Sequence, residues 1–173
     1  TLRPFYFDRV AEVAPPLGFA PADGLLCDLG VSSLQLDRPE RGFSFRAAGP
    51  LDMRYGPDAD ETAADMVNGY SETDLANVLF EYGDERRSRR IAHAIVERRP
   101  LRSTLDLAKA VEQVAGGARD RNQIHPATLV FLALRIHVNG ELDSLTVGLT
   151  QARDLLGFGN NRGGRIAAIS FHS

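Results

Sequence analysis

The sequence predicts an α/β fold in which a small parallel sheet is interrupted by an inserted all-helical domain. Three observations lead there. Residues 22–33 form an apolar run that ends in an acid and then breaks into a small-residue loop, the pattern of a buried parallel strand. Residues 165–171 alternate and then run apolar, as a second buried strand would. Between them lie stretches of helical periodicity and loop composition, so the order of elements fits two parallel strands joined by a crossover.

At 173 residues the chain suits one ordinary domain, or a small domain interrupted by another. Its net charge of −3 gives no global nucleic-acid signature, so an RNA partner must be met by a local basic patch. The single cysteine, Cys27, excludes an internal disulfide, agrees with a reducing cytoplasm and reads as a small core residue. No apolar run approaches membrane-spanning length and no charged-then-apolar leader opens the chain, so a cytoplasmic protein with no membrane partner is expected.

Taken in order, residues 1–13 offer Phe5, Tyr6 and Phe7, then a short amphipathic pattern through Val10 and Val13 that Pro15 and Pro16 end. The strand that follows closes at Asp28. Ligands of open α/β sheets gather beyond the carboxyl ends of strands, which makes Asp28 the first site candidate; capping the next turn is its competing role. Residues 36–60 are rich in Gly, Pro, Arg and Asp and read as a long loop, with Phe43, Phe45, Leu51 and Met53 as anchors. Arg41, Arg46 and Arg54 beside those aromatics suit phosphates and stacked bases, or else pair with Asp37, Glu40 and Asp52.

Helices follow over 62–70 and 71–82, the second with Ser71 and Asp74 at its start and Leu75, Val78, Leu79 and Tyr82 on one face. Gly83 breaks it, and Asp84 and Glu85 are expected to open a third helix with acids at its positive end. There Ile91, Ala94 and Ile95 make the apolar stripe, while Arg86, Arg89, Arg90, His93 and Glu97 share the other side. That cluster is the most basic place in the chain: it either neutralises RNA phosphates or is a solvated face paired with Asp84, Glu85 and Glu97. Thr104 is expected to cap a fourth helix that Gly116 and Gly117 stop. His125 caps a fifth with Pro126 at its first position, apolar nearly all round and so expected against the sheet, with Arg135 and Asn139 as its polar exceptions. Residues 141–156 continue as an amphipathic helix, and 157–164 as a turn.

Five ordered blocks carry a resemblance: residues 23–37 (DGLLCDLGVSSLQLD), Arg41-Gly42-Phe43-Ser44-Phe45, Gly49-Pro50-Leu51-Asp52-Met53-Arg54, Tyr82-Gly83-Asp84-Glu85-Arg86 and His125-Pro126-Ala127-Thr128. Together they resemble the bacterial ribosomal small subunit methyltransferase H family, also called MraW, from about residue 5 to residue 173. The resemblance implies a partial Rossmann-like class I methyltransferase sheet, discontinuous over 1–36 and 123–173, with 37–122 as an inserted helical domain for RNA recognition. It implies S-adenosyl-L-methionine as cofactor, and methylation of the exocyclic N4 amine of a cytidine in small-subunit (16S) ribosomal RNA, free or in the assembled subunit. Asp28 and Gln35 match positions that contact the cofactor, Phe5 the aromatic that packs on it, and Asp28 is the catalytic candidate, since one carboxylate there can face cofactor or target amine. Arg41, Phe43, Arg54, Arg86, Arg90 and His172 are the candidates for RNA. The chain departs from the family at Leu132, where glutamine is common, and in the longer turn at 157–164. It has no Gly-Gly-His-Ser cofactor loop, so an internal portion of the enzyme is expected.

A cytosine amine is a weak nucleophile that must be oriented and relieved of a proton, work for a carboxylate and not for a metal. No Cys-His or His-Glu spacing supports a zinc site. The competing reading is a non-catalytic RNA- or protein-binding fragment of such an enzyme. A nucleotide-binding oxidoreductase is disfavoured by the lack of a Gly-x-Gly-x-x-Gly turn. Two strands without neighbours leave open edges, which calls for a partner chain or a homodimer mate.

Overall fold

A computed structural model describes residues 3, 5–57, 59–115, 125–159 and 162–170 of the chain. It is mostly helical with a small parallel sheet, and it divides into two compact units, one of residues 1–31 with 140–173 and the other of 32–139.

In the first unit a single turn, α1 (Val10–Val13), follows a 3-10 turn at Phe7–Arg9 and precedes β1 (Gly24–Asp28). The chain returns through α8 (Glu141–Leu155), an antiparallel pair of two-residue strands, β2 (Phe158–Gly159) and β3 (Arg162–Gly163), and finally β4 (Arg165–Ile169). β1 and β4 pair in parallel, with Gly24 opposite Arg165 and Asp28 opposite Ile169. The end of α8 is tied to the start of β1, since the Ala22 amide donates to the Leu155 carbonyl at 2.8 Å and the Gly157 amide to the Ala22 carbonyl at 3.1 Å. The expected turn at 157–164 thus contains a short antiparallel pair. β4, expected to be buried, is exposed along its whole length, and Leu26 of β1 is 64% exposed. A two-stranded sheet gives each strand one hydrogen-bonded neighbour, which leaves the outer edges and part of the faces in solvent.

The second unit holds α2 (Ser33–Leu36), α3 (Ala63–Gly69), α4 (Glu72–Gly83), α5 (Ser88–Glu97), α6 (Thr104–Ala115) and α7 (Pro126–Val138). Its helix starts are written in the sequence. Thr62 and Asp65 form a capping box, Ser71 accepts the Asp74 amide at 3.1 Å, and the His125 Nδ1 accepts the Ala127 amide at 3.1 Å. Two starts shift. Ser103 and Asp106 exchange the bonds expected of Thr104. Thr104 is instead buried, its hydroxyl donating to the Ala47 carbonyl at 2.9 Å and accepting the Gly49 amide at 3.1 Å. α5 begins at Ser88 and not at the acids, because Asp84 takes a left-handed conformation (φ 48°) to end α4 and Glu85 turns inward to accept the Arg87 amide at 2.9 Å.

The core of this unit is Met66, Val67, Leu75, Leu79, Ile91, Ile95, Leu107, Val130 and Leu134, joined by Leu51 and Met53 from the loop. α7, expected against the sheet, packs on α4, α6 and α3 instead. A helix apolar on all sides can be enclosed by other helices as well as by strands, and periodicity does not distinguish them. Gly83 allows the close approach of α4 and α7: a Cβ there would lie 2.6 Å from the Leu129 carbonyl oxygen.

The loop before α3 is ordered by side chains that satisfy its backbone. Asn139, buried at the end of α7, accepts the Tyr55 amide at 2.7 Å and donates to the carbonyls of Met53 at 2.8 Å and Arg135 at 2.9 Å. Met53 itself sits at φ 61°, a left-handed conformation that costs a side-chain-bearing residue of order 1–3 kcal/mol. Near the same helix end the Tyr70 hydroxyl donates to Glu61 at 2.5 Å and lies 3.3 Å from His137 Nε2. Burial, and then the hydrogen bond to Glu61, push the Tyr70 phenol up to about 12.

Asn139→Ala takes the side-chain partner from the Tyr55 amide and the Met53 carbonyl, while the Arg135 carbonyl keeps the backbone amide of residue 139, and is expected to lower stability by about 2–3 kcal/mol in urea unfolding. Because Tyr70 ionises at about 12 in the folded chain against 10.0 in the unfolded one, its contribution is complete below pH 10 and is lost as pH rises toward 12. Tyr70→Phe is therefore expected to lose less stability than the unsubstituted chain over that window.

Candidate functional site

Asp28 ends β1 at the carboxyl edge of the parallel pair, where the Leu29 amide still donates to the Ile169 carbonyl at 2.9 Å. The strand's last residue is exposed, and its carboxylate makes no hydrogen bond or ion pair among the described residues. It borders a cleft of about 160 Å³ formed within the first unit by residues 25–29 of the strand, Phe7, Val10, Gly148 and Ala152. The wall is mainly hydrocarbon, with Asp28 as its one acidic residue. Such a place suits a ligand with a flat or aliphatic body and a hydrogen-bond donor or positive charge at one end. The volume is below the roughly 300–1,000 Å³ of complete small-molecule sites.

Phe5 is 39% exposed and is not part of this cleft, whereas Phe7 is. The position of Phe7 depends on Gly148 in the middle of α8: a Cβ there would stand 2.2 Å from the Phe7 ring. An isolated glycine inside a helical pattern was the available signal for this close approach, and the sequence reading did not use it.

Gln35, in the second unit, spends its side-chain oxygen on a capping box, accepting the Ser32 amide at 2.9 Å while the Ser32 hydroxyl accepts the Gln35 amide at 3.3 Å. The loop candidates are likewise turned to structural use. Arg41 donates to the carbonyls of Arg54 at 2.8 Å and Tyr55 at 3.1 Å, and its guanidinium stands 5.6 Å from the Phe43 ring centre. Phe43 is buried, with its ring 5.6 Å from that of Tyr55, so it offers no free face to a base. Arg54 grips both oxygens of Asp52, at 2.8 and 3.0 Å, and this hydrogen bonding holds the Asp52 carboxyl below the usual carboxylate range.

The arginines of α5 and the turn before it differ. Arg86, Arg89 and Arg90 are exposed and make no ion pair or side-chain hydrogen bond among the described residues, while Arg87 alone reaches Glu85, at 3.4 Å. The pairing with Asp84, Glu85 and Glu97 that would make this cluster an ordinary solvated face is thus absent for these three. His172 lies outside the described residues. Among the described residues no three His, Cys, Asp or Glu side chains gather as a metal site, and no helix is long and apolar enough to cross a membrane.

A model of the MraW methylase family matches residues 2–173. Curated proteins with the name "Ribosomal RNA small subunit methyltransferase H" are similar along nearly the whole chain. The one from Dehalococcoides mccartyi is 49% identical over 167 residues, covering 96% of this chain and 46% of the relative. That of Syntrophobacter fumaroxidans is 52% identical over 170 residues, with 96% and 52% covered. That of Synechococcus elongatus is 56% identical over 173 residues, with 97% and 57% covered. The chain spans about half the length of the curated relatives it matches.

An exposed strand-end carboxylate without partners contributes little to folding. Asp28→Asn is expected to change stability by less than about 0.5 kcal/mol in thermal or urea unfolding, so a larger loss would assign the residue to the fold and not to a ligand.

Proposed function

Because this chain belongs to the MraW methylase family, we propose that it is the part of an enzyme that transfers a methyl group from S-adenosyl-L-methionine to the exocyclic N4 amine of a cytidine in small-subunit ribosomal RNA. The observation that carries this reading is the family match over residues 2–173, and the name shared by its relatives supplies the substrate class. The β1–β4 pair then belongs to a Rossmann-like methyltransferase sheet. The helical insertion expected over 37–122 falls within the compact unit of residues 32–139 and is charged with RNA recognition, and the protein works in the cytoplasm.

The residues at the cleft fit such a cofactor in kind. Phe7, Val10, Leu25 and Ala152 offer apolar surface, and Asp28 offers an acceptor free of competing bonds. When bound, the cofactor supplies an electrophilic methyl group on a cationic sulfur, which keeps the electron pair of the broken bond. The amine's electron pair makes the new nitrogen–carbon bond, and one amine proton must leave. Asp28 is the group proposed to hold or accept it. The amine becomes strongly acidic only as the bond forms, so the acceptor need only stand within hydrogen-bond reach of it. Orientation contributes the larger share of the rate, which the cleft wall provides by fixing what lies against it.

The test uses the protein as it is encoded, small subunits lacking the modification, and mass spectrometry of the digested RNA. Asp28→Asn is expected to lower kcat by about 100-fold or more while leaving the fold intact. Methylation at an undiminished rate would remove Asp28 from the chemistry. Calorimetric titration with S-adenosyl-L-methionine separates this reading from the non-catalytic alternative, which requires RNA binding without cofactor binding.

A further inference from the structure

The helical unit has a cleft of its own, between α5 and α6, of about 420 Å³. Arg89, Arg90, His93, Glu97 and Arg98 reach it from the α5 side and Gln113 from α6. Arg98 is held in place by its own bonds, donating to the Ala94 carbonyl at 2.9 Å and to the Gln113 side-chain oxygen. Arg89 and Arg90 are the reverse case, exposed and without partners among the described residues.

We propose that this cleft binds the phosphodiester backbone of RNA, with Arg89 and Arg90 as the phosphate ligands and the Arg98–Gln113 pair as a fixed wall that positions them. It rests on the RNA-methyltransferase reading and goes beyond it in naming where the backbone lies.

Three features carry it. The chain as a whole bears a net charge of −3, yet among the described residues that line this cleft three are arginines and one, Glu97, is a carboxylate, with a second, Glu72 of α4, beside His93. Crowding cations that outnumber their counter-ions is unfavourable in the free protein, and a bound polyanion relieves it. The site is an open groove between two helices, accessible to an extended polyanion. Its two cationic roles are also divided: Arg98 is spent on the protein, and Arg89 and Arg90 keep all their donors for a ligand.

His93 adds to this. Its Nδ1 lies 3.0 Å from Glu72 on α4 and its Nε2 3.4 Å from Glu97. The hydrogen bond to Glu72, and next the charge of Glu97, raise the imidazole above its ordinary range. Glu72 and Glu97 therefore both face a group that favours the positive form, which offsets part of their negative charge. The arginines expected from sequence to meet RNA were Arg86 and Arg90. The cleft selects Arg89 beside Arg90, while Arg86 lies before the helix and does not line it.

The test is fluorescence anisotropy of a short labelled single-stranded RNA from the small subunit, titrated over a range of salt with the encoded protein. The double variant Arg89→Gln, Arg90→Gln is expected to flatten the slope of log affinity against log salt by about 1.4, from two phosphate contacts at about 0.7 each. Arg38→Gln, at another exposed and unpartnered arginine of the same unit, is expected to leave it unchanged. Glu97→Gln, which removes the cleft's carboxylate, is expected to tighten binding. An unchanged affinity and slope in the double variant would overturn the assignment, as would an equal effect from Arg38→Gln or capture of an acidic protein surface with RNA binding intact. Cofactor binding and methyl transfer by the unsubstituted protein are measured alongside. If they are present while the double variant binds RNA normally, only this inference fails, and if they are missing, the methyltransferase reading fails first.

Discussion

Irregular backbone that enters a core must find partners for its amides and carbonyls, and the helical unit is arranged around meeting that demand for residues 41–55. Leu51 and Met53 carry the loop into the middle of the helices, where they are as buried as any residue of α4 or α5. The loop's backbone is then answered by Asn139 at Met53, by Arg41 at Arg54 and Tyr55, and by Thr104 at Ala47 and Gly49. An apolar side chain at position 139 or 104 would leave buried polar groups with neither water nor protein to bond. The loop is thereby as fixed as a helix without being one.

That constraint redistributes the charged residues. Arg41 and Arg54 resemble ligands for RNA in a linear text, because they sit beside aromatics in a glycine-rich segment. In the folded unit one satisfies carbonyls and the other neutralises Asp52. Phe43 is spent on Tyr55 for the same reason. Arg89 and Arg90, on α5, are among the cations left uncommitted among the described residues. A guanidinium kept free of intramolecular partners retains its bidentate geometry for a phosphate, and these two also line the groove between α5 and α6.

The first unit shows a simpler logic. Two parallel strands place Asp28 at their carboxyl edge, and the glycine in α8 lets Phe7 press against the helix to wall a small cleft beside it. The acid gains nothing from the fold in return, since it neither caps a helix nor pairs with a cation among the described residues. A carboxylate at a strand end without partners among the described residues keeps its acceptors for a ligand.

Local chemistry was legible in advance: the strand closing at Asp28, the caps at Ser71 and His125, the amphipathic stripes of α4 and α5, and the ordered motifs that identify the family. Each depends on residues close together in the chain, so spacing alone contains the information. Tertiary structure decided the rest. α7 could have faced strands or helices, and its uniformly apolar surface favoured neither until α4, α6 and α3 enclosed it. Asp84 and Glu85 read as a helix start, but one was needed to end α4 and the other to receive an amide from the next turn. Whether an arginine binds a carbonyl, a carboxylate or a foreign phosphate depends on what the fold brings within 3 Å of it: the sequence offered Asp52 and RNA alike as partners for Arg41 and Arg54, and the course of the loop backbone chose between them.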